Sequence, residues 1–474
     1  MKNKKNTFSR VLINKFVFFC LIITVTGCST LKGPTPQLKN ELDEYTANKT
    51  ETEKGFYESL YIEGERDAVL NFNRVGWLSL VGGDLKRSEW AFDQSLERIE
   101  RIYANDEKAQ EAKSKFSEED VKDFKGEPYE RAMAYYYRGI LYLAQGDYEN
   151  ARATFKAGEF QDTLSEKEEF QSDFALLNYL QGWSSHCNGD AELANEAFNV
   201  AHEHNPALNA PDNKANFLLL FDYGTGPVKI STGRHSEILT FKDAQNTSLS
   251  TPLFHIETVS SDIQANAGNL MSENRETSDN QSAKEINVVL AENMFTQATT
   301  RGGRAIQGIL DGKAQFKDTT QTLGLTSMLV GRGLTSGNGG GYYGSPYAGA
   351  AGAGLQLVGL TAMLISNATT PQADTRYWDT LPGAVYVGTT TLSKQNFSIK
   401  ADLSDEQGVI EPVETYGNLQ RGDGTCSFYY STQTDPANLP SSAPGARLSW
   451  NDIADENNDD EMKAFRQSLM ESKD

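Results

Sequence analysis

Three Gly-Asp pairs set the architecture of the first half of this chain. Gly83-Asp84, Gly146-Asp147 and Gly189-Asp190 each lie between two stretches with apolar residues at helical spacing. Aligned on the first glycine, the flanks agree. Seven residues upstream stands Gly76, Gly139 or Gly182; five downstream stands Ser88, Ala151 or Ala194. Nine downstream is always phenylalanine (Phe92, Phe155, Phe198), and twelve downstream is again small (Ser95, Gly158, Ala201). A glycine tolerates positive φ where a chain reverses, and an aspartate after it caps the next helix. Small residues let two helices approach closely, and the phenylalanine is expected to fill the wedge toward the following pair. Three antiparallel helix pairs therefore span residues 43–210, the last stopping at Pro206.

This pattern resembles the tetratricopeptide repeat, most closely at Gln145–Phe155. The spacings between glycines are 63 and 43 residues, whereas the repeat has about 34, so charged inserts interrupt the array. The resemblance implies a helical solenoid with a concave face that takes a peptide or protein segment. Candidate groove residues on the first helices are Asn73, Trp77, Tyr136, Tyr137, Arg138 and Asn178. The alternative for the aromatic ones is ordinary helix-packing core.

From Asn216 the period shortens. Phe217-Leu-Leu-Leu-Phe221 reads as a buried strand, followed by strands over 228–230, 237–241 and 252–259. Gly224-Thr-Gly-Pro-Val-Lys229 lacks the ending of a phosphate loop and precedes a strand, so it reads as a hairpin turn. Residues 283–298 read as an amphipathic helix, extended by helical character over 301–319. Forty-one uncharged residues then separate Arg332 from Asp374, with eleven glycines between Gly331 and Gly359. Residues 319–368 are expected to form an apolar helical hairpin with a glycine-tyrosine tip. It is weakly apolar for a membrane span and suits a packed contact or self-association better. Strands return over 385–392, 396–401, 408–415 and 425–432. The fold class expected is α plus (α+β): a repeat domain, then a mainly antiparallel sheet domain over 211–434 with the hairpin inserted. Residues 435–474, Pro/Ser-rich and then acidic, read as a largely disordered tail with a short helix from Met462.

The first thirty residues carry an address. A basic stretch (Lys2, Lys4, Lys5, Arg10, Lys15) precedes an apolar run, Val17–Val25, and then Gly27-Cys28. This is a secretory signal, too short to span a membrane, and its end resembles the lipobox of bacterial lipoproteins. That resemblance implies cleavage after residue 27, acylation of Cys28, and a polar tether over 28–42. With Ser29 following the cysteine, it implies residence at the outer membrane, facing the periplasm. That compartment is oxidising. Cys187 and Cys426 remain in the mature chain, either bridged or as two buried small hydrophobes. The unbonded alternative is preferred, because sequence does not bring their Cα atoms within bonding distance.

The formal charge is −21, and removing the basic signal leaves the chain more acidic still, which disfavours nucleic acid as a partner. No zinc-like cysteine spacing occurs, and His202-Glu203-His204 diverges on a helix, so no metal or other cofactor is expected. Asp374, Arg376 and Asp379 beside Trp378 read as charges that fix the chain where it re-enters the sheet. An alternative is glycan binding or hydrolysis using Tyr377, Trp378 and Asp379. The whole layout resembles tetratricopeptide lipoproteins of Gram-negative bacteria, which implies a scaffold in envelope biogenesis rather than an enzyme. Peptidoglycan synthesis or outer-membrane assembly would supply the client protein.

Overall fold

A computed structural model describes residues 35–104, 123–163, 174–244 (without 235 and 237), 251–258, 284–300, 373–392, 397–404, 410–421, 424–446 and 460–472. Signal, Cys28, the expected helix over 301–319 and the expected hairpin over 319–368 lie outside the described residues. The fold mixes helices and sheets and divides into two compact units. One comprises residues up to 48 and from 447 onward. Its described elements are α1, Pro36–Thr46, which starts at the Thr35 cap, and a last helix, α10, Asp460–Glu471. Each is amphipathic, burying Leu38, Leu42 and Tyr45 in the first and Met462, Phe465 and Leu469 in the second.

The larger unit, residues 49–446, holds everything else. Helix α2, Glu51–Glu63, begins with a reciprocal cap: Thr50 and Glu53 satisfy each other's backbone amides. A short 3₁₀ turn, Gly64–Asp67, leads into three helix pairs. These are α3 (Ala68–Val81) with α4 (Leu85–Ala104), α5 (Pro128–Gln145) with α6 (Tyr148–Thr163), and α7 (Ala175–Cys187) with α8 (Ala191–His204).

The Gly-Asp pairs work as local chemistry dictates. Gly83, Gly146 and Gly189 take φ of 81°, 74° and 85°, and the Oδ1 atoms of Asp84, Asp147 and Asp190 accept from the amides of Arg87, Asn150 and Leu193. The phenylalanines differ from expectation. Each sits on the glycine of its own pair: a Cβ built on Gly76, Gly139 or Gly182 would lie 2.9, 2.2 or 2.6 Å from the ring of Phe92, Phe155 or Phe198. The glycine is missing a side chain because the phenylalanine occupies its place. Ser88, Ala151 and Ala194 are buried in the same seams, and Ser88 Oγ donates to Gly76 O at 2.7 Å.

Three sheet elements follow. A five-stranded sheet has the order β10-β11-β1-β7-β6, from β1 (Phe217–Tyr223), β6 (Val288–Asn293), β7 (Ala384–Thr390), β10 (Tyr416–Arg421) and β11 (Ser427–Thr432). Strands β1 and β11 run parallel, with Leu219 opposite Tyr429, and the other pairs are antiparallel. Strands β2 (Val228–Thr232) and β3 (Ile238–Lys242) form a hairpin. Strands β4 (Thr251–Thr258), β5 (Lys284–Ile286), β8 (Phe397–Ser404) and β9 (Ile410–Pro412) form a four-stranded antiparallel sheet in the order β5-β4-β8-β9. Phe217, Leu219 and Phe221 pack with Phe254, Ile256, Ile286 and Phe397, so the two sheets share one core. The alternate residues of β1 are buried as well, ending in Asp222 against α5. A strand covered on both faces needs a continuous apolar run, and β1 has one.

Several expectations are corrected, among them the tether over 28–42, whose residues 36–42 lie in α1 because Leu38 and Leu42 fall on its buried face. The described part of the expected helix over 283–298 instead forms β5 and β6, with a helix (α9, Met294–Thr300) only at the end, because the β-branched Ile286 suits an edge strand against β4, and Val288 and Val289 an edge strand against β7. Residues 435–446 belong to the larger unit: Ala443 is buried, Ser441 lies against Gly55, and Gly445 lies against the Thr375–Arg376 backbone. The boundary near residue 210 separates helices from strands but not two compact units, since both lie within residues 49–446.

Cys187, at the end of α7, is bonded to Cys426, just before β11, with Cα atoms 5.8 Å apart. The preferred unbonded reading is thereby overturned. The bridge closes a sequence separation of 239 residues, for which the chain-entropy account gives roughly 5 kcal/mol. Cys187→Ser is expected to lower the free energy of unfolding by about 2–5 kcal/mol, measured by chemical denaturation. The same loss should follow reduction of the wild type, with no further loss on reducing the variant. Gly139→Ala should cost about 1–3 kcal/mol through its clash with Phe155, and Phe155→Leu in the same chain should recover part of that loss.

Candidate functional site

The expected groove faces the chain's own sheet. Trp77, Tyr136 and Tyr137 are fully buried, and Asn73, Arg138 and Asn178 are nearly so. The open concave surface expected at these six positions is absent, because strands β1 and β11 and the segment 374–383 lie against α3 and α5. The helix-packing alternative describes the aromatic ones. Arg138 pairs sideways with Asp93 at 2.7 Å and lies over the Tyr142 ring, and Asn178 accepts from Gln181.

The centre of this junction is one carboxylate. Asp222 ends the apolar face of β1 that meets the helices and is 1% exposed. Its Oδ1 accepts from Tyr136 at 3.0 Å, and its Oδ2 from Tyr137 at 2.7 Å and Tyr430 at 2.9 Å. Burial raises its pKa to about 7, opposed by the three hydroxyl donors, which stabilise the charged form. The same burial, with the carboxylate beside them, pushes all three tyrosines well above their ordinary value. The rings close the site: Tyr137 packs edge-on to Tyr136 and stacks on Phe92, with Trp378 tilted against it at 5.6 Å.

Ion pairs surround this core, and several join residues hundreds of positions apart. Arg74 Nε donates to Asp379 Oδ1 at 2.8 Å, and its Nη2 to the Pro440 carbonyl at 2.8 Å. Arg376 Nη1 reaches Asp67 at 2.6 Å and Nη2 reaches Asp374 at 2.7 Å. Lys229 bonds Glu130 at 2.7 Å and lies 3.3 Å from Glu127. Glu130 also accepts from the backbone amides of Trp378 and Glu127. The charges at 374–379 thus fix the chain where it re-enters the sheet by binding α3 and the 3₁₀ turn between α2 and α3, and the Trp378 backbone amide adds a bond to α5.

Chemically, the arrangement binds parts of the chain to one another. Each carboxylate named here has a committed donor, and the Asp222–tyrosine cluster is closed to solvent. Trp378 is 2% exposed and Asp379 is held by Arg74, so neither is open to a sugar, while Tyr377 is half-buried. Among the described residues, no group of three or more His, Cys, Asp or Glu could hold a metal ion, and no helix is long and apolar enough to cross a membrane. Sequence reasoning passed over Asp222, Arg74, Asp67, Glu130, Lys229 and Tyr430. Asp222 carried a signal: a carboxylate on the tail of an unbroken apolar strand is buried with its strand. No family model, curated protein or solved structure matches this chain.

The raised pKa of Asp222 fixes a sign. Its folded value, about 7, lies above the ordinary carboxyl value of about 3.9, so its contribution favours folding at low pH and is lost as pH rises through 7. Asp222→Asn cannot titrate. Its unfolding free energy relative to wild type should therefore rise between about pH 5 and pH 8, read from denaturant midpoints at each pH. Tyr430→Phe should cost about 1.5–3 kcal/mol at neutral pH by removing one donor to the carboxylate.

Proposed function

We propose that this protein is a lipid-anchored scaffold or adaptor of the Gram-negative envelope, tethered by Cys28 to the outer membrane with its folded body in the periplasm. The helix pairs are read as irregular tetratricopeptide-like repeats, and the protein as non-catalytic. The observation that carries the reading is the commitment of the array's inner face to the chain's own sheet. A body closed by its own aromatic and ionic contacts presents fixed outer surfaces, which is the property a scaffold needs. The Cys187–Cys426 bridge suits an oxidising compartment, and the lipobox-like sequence ending at Cys28 supplies the anchor. The client protein is therefore expected on outward helix surfaces rather than at Asn73, Trp77, Tyr136 or Tyr137. Peptidoglycan synthesis and outer-membrane assembly are the processes the resemblance suggests.

Cross-linking of the full chain in cells, followed by mass spectrometry, is the direct test. Wild type should return a specific envelope protein, and Cys28→Ser should move the chain to the soluble periplasmic fraction and reduce that yield. Retention of Cys28→Ser in the membrane fraction would contradict the anchor, and recovery of no specific partner would contradict the adaptor.

A further inference from the structure

The corner between α2 and α3 contains a second buried carboxyl that the junction does not use. Glu63 closes α2 and Asn71 lies in the first turn of α3, with the 3₁₀ turn between them. Glu63 is 3% exposed and Asn71 fully buried. Asn71 Nδ2 donates to Glu63 Oε2 at 2.7 Å. The remaining atoms of the two groups, Glu63 Oε1 and Asn71 Oδ1, are both buried and both have no hydrogen-bond partner. Were Glu63 ionised, each would be an acceptor without a donor in the core, an arrangement native interiors avoid. Turning the Asn71 amide over does not help, because its oxygen would then face Glu63 Oε2.

One proton resolves both vacancies. A carboxylic acid and a carboxamide make a closed two-bond pair, in which the amide N–H donates to one carboxyl oxygen and the acid O–H on the other donates to the amide oxygen. Half of that pair is present, and the two orphaned atoms are those the other half requires. We propose that Glu63 is held as a neutral carboxylic acid whose Oε1–H donates to Asn71 Oδ1, and that loss of this proton loosens the α2–α3 corner as a pH-sensitive element.

The surroundings agree. The charged groups facing Glu63 are Asp67 and Arg66 on the 3₁₀ turn and Arg74 on α3. Arg66 is placed on Asp67 and Arg74 on Asp379, while Asp67 also holds Arg376. Burial, with Asp67 adding to it, raises the Glu63 pKa to about 8, against the opposing effects of Asn71, Arg74 and Arg66. When Glu63 loses its proton to solvent, a carboxylate faces an amide oxygen and a second negative charge stands beside Asp67. The contact that ties the 374–379 segment to this corner is thereby put at risk.

Glu63→Gln is the matched variant, since a glutamine amide can make the same two bonds with Asn71 and cannot titrate. In the full chain, wild type and variant should melt within a degree or two of each other near pH 4.5, where the carboxyl is protonated in the folded chain and still substantially so in the unfolded one. Wild type should fall several degrees below the variant by about pH 9.5, because a group with a raised folded pKa loses its contribution as pH rises through it. Parallel melting curves across that range would overturn the proposal. Should the variant fail to fold, infrared spectroscopy of wild type labelled with ¹³C-carboxyl glutamate decides the matter. A protonated-carboxyl band that shifts with the label at neutral pH and vanishes at alkaline pH supports it. Absence of a label-sensitive acid band at neutral pH overturns it.

Discussion

Asp222 is where helices and sheet become one body. A carboxylate on a strand buried on both faces is destabilising by itself, since desolvation penalises its charge. It is held there by three tyrosine hydroxyls from two elements, two on α5 and one on β11. The tyrosines in turn need an acceptor, because a phenol buried among rings has few other partners. Neither partner is well placed without the other. The arrangement therefore selects one docking of α5 on the β1–β11 pair, in the way a buried polar network distinguishes one packing from its near alternatives.

The ion pairs around Asp222 repeat the theme with opposite polarity in different places. Arg74 is on the helices and its acid on the returning segment; Arg376 reverses that assignment, and Lys229 does the same from β2 toward Glu130 on α5. Buried pairs of this kind contribute little net stability when compared with apolar packing, but leaving one member alone is costly. Their reciprocal placement penalises any docking that separates a charge from its mate. The returning segment is therefore fixed by charge at Arg376 and again at Asp379.

What was legible in the sequence was what depends on neighbours along the chain. The Gly-Asp reversals rest on φ and a cap three residues away, so the composition of four or five positions reveals them. The unbroken Phe217–Phe221 run declared a strand covered on both faces. The same locality explains the errors. The pattern points Phe155 toward the next helix pair because its partner in the fold, Gly139, has no side chain to announce the contact. The six groove positions looked outward only while the sheet that covers them was still far off in sequence, with Asp222 85 residues beyond Tyr137. Cys187 and Cys426 meet through the fold and through nothing local. Residues 283–298 carry apolar spacing compatible with either period, and the edges of β4 and β7 settle 284–286 and 288–293 as strands.

The parallel pairing of β1 with β11 sets an order of events. Strand β1 lies at residues 217–223, its antiparallel neighbour β7 at 384–390 and its parallel neighbour at 427–432, so on a chain made from the N-terminus the central strand waits for both neighbours, and for the second until almost all the rest has emerged. The helix pairs, whose contacts are local, can close long before that. During the interval Asp222 has Tyr136 and Tyr137 but not Tyr430, and Cys187 has no mate. A chain stopped between Tyr223 and Ser427 would thus present helices already folded beside an incompletely paired, strongly apolar strand, a species suited to capture by a chaperone or to aggregation.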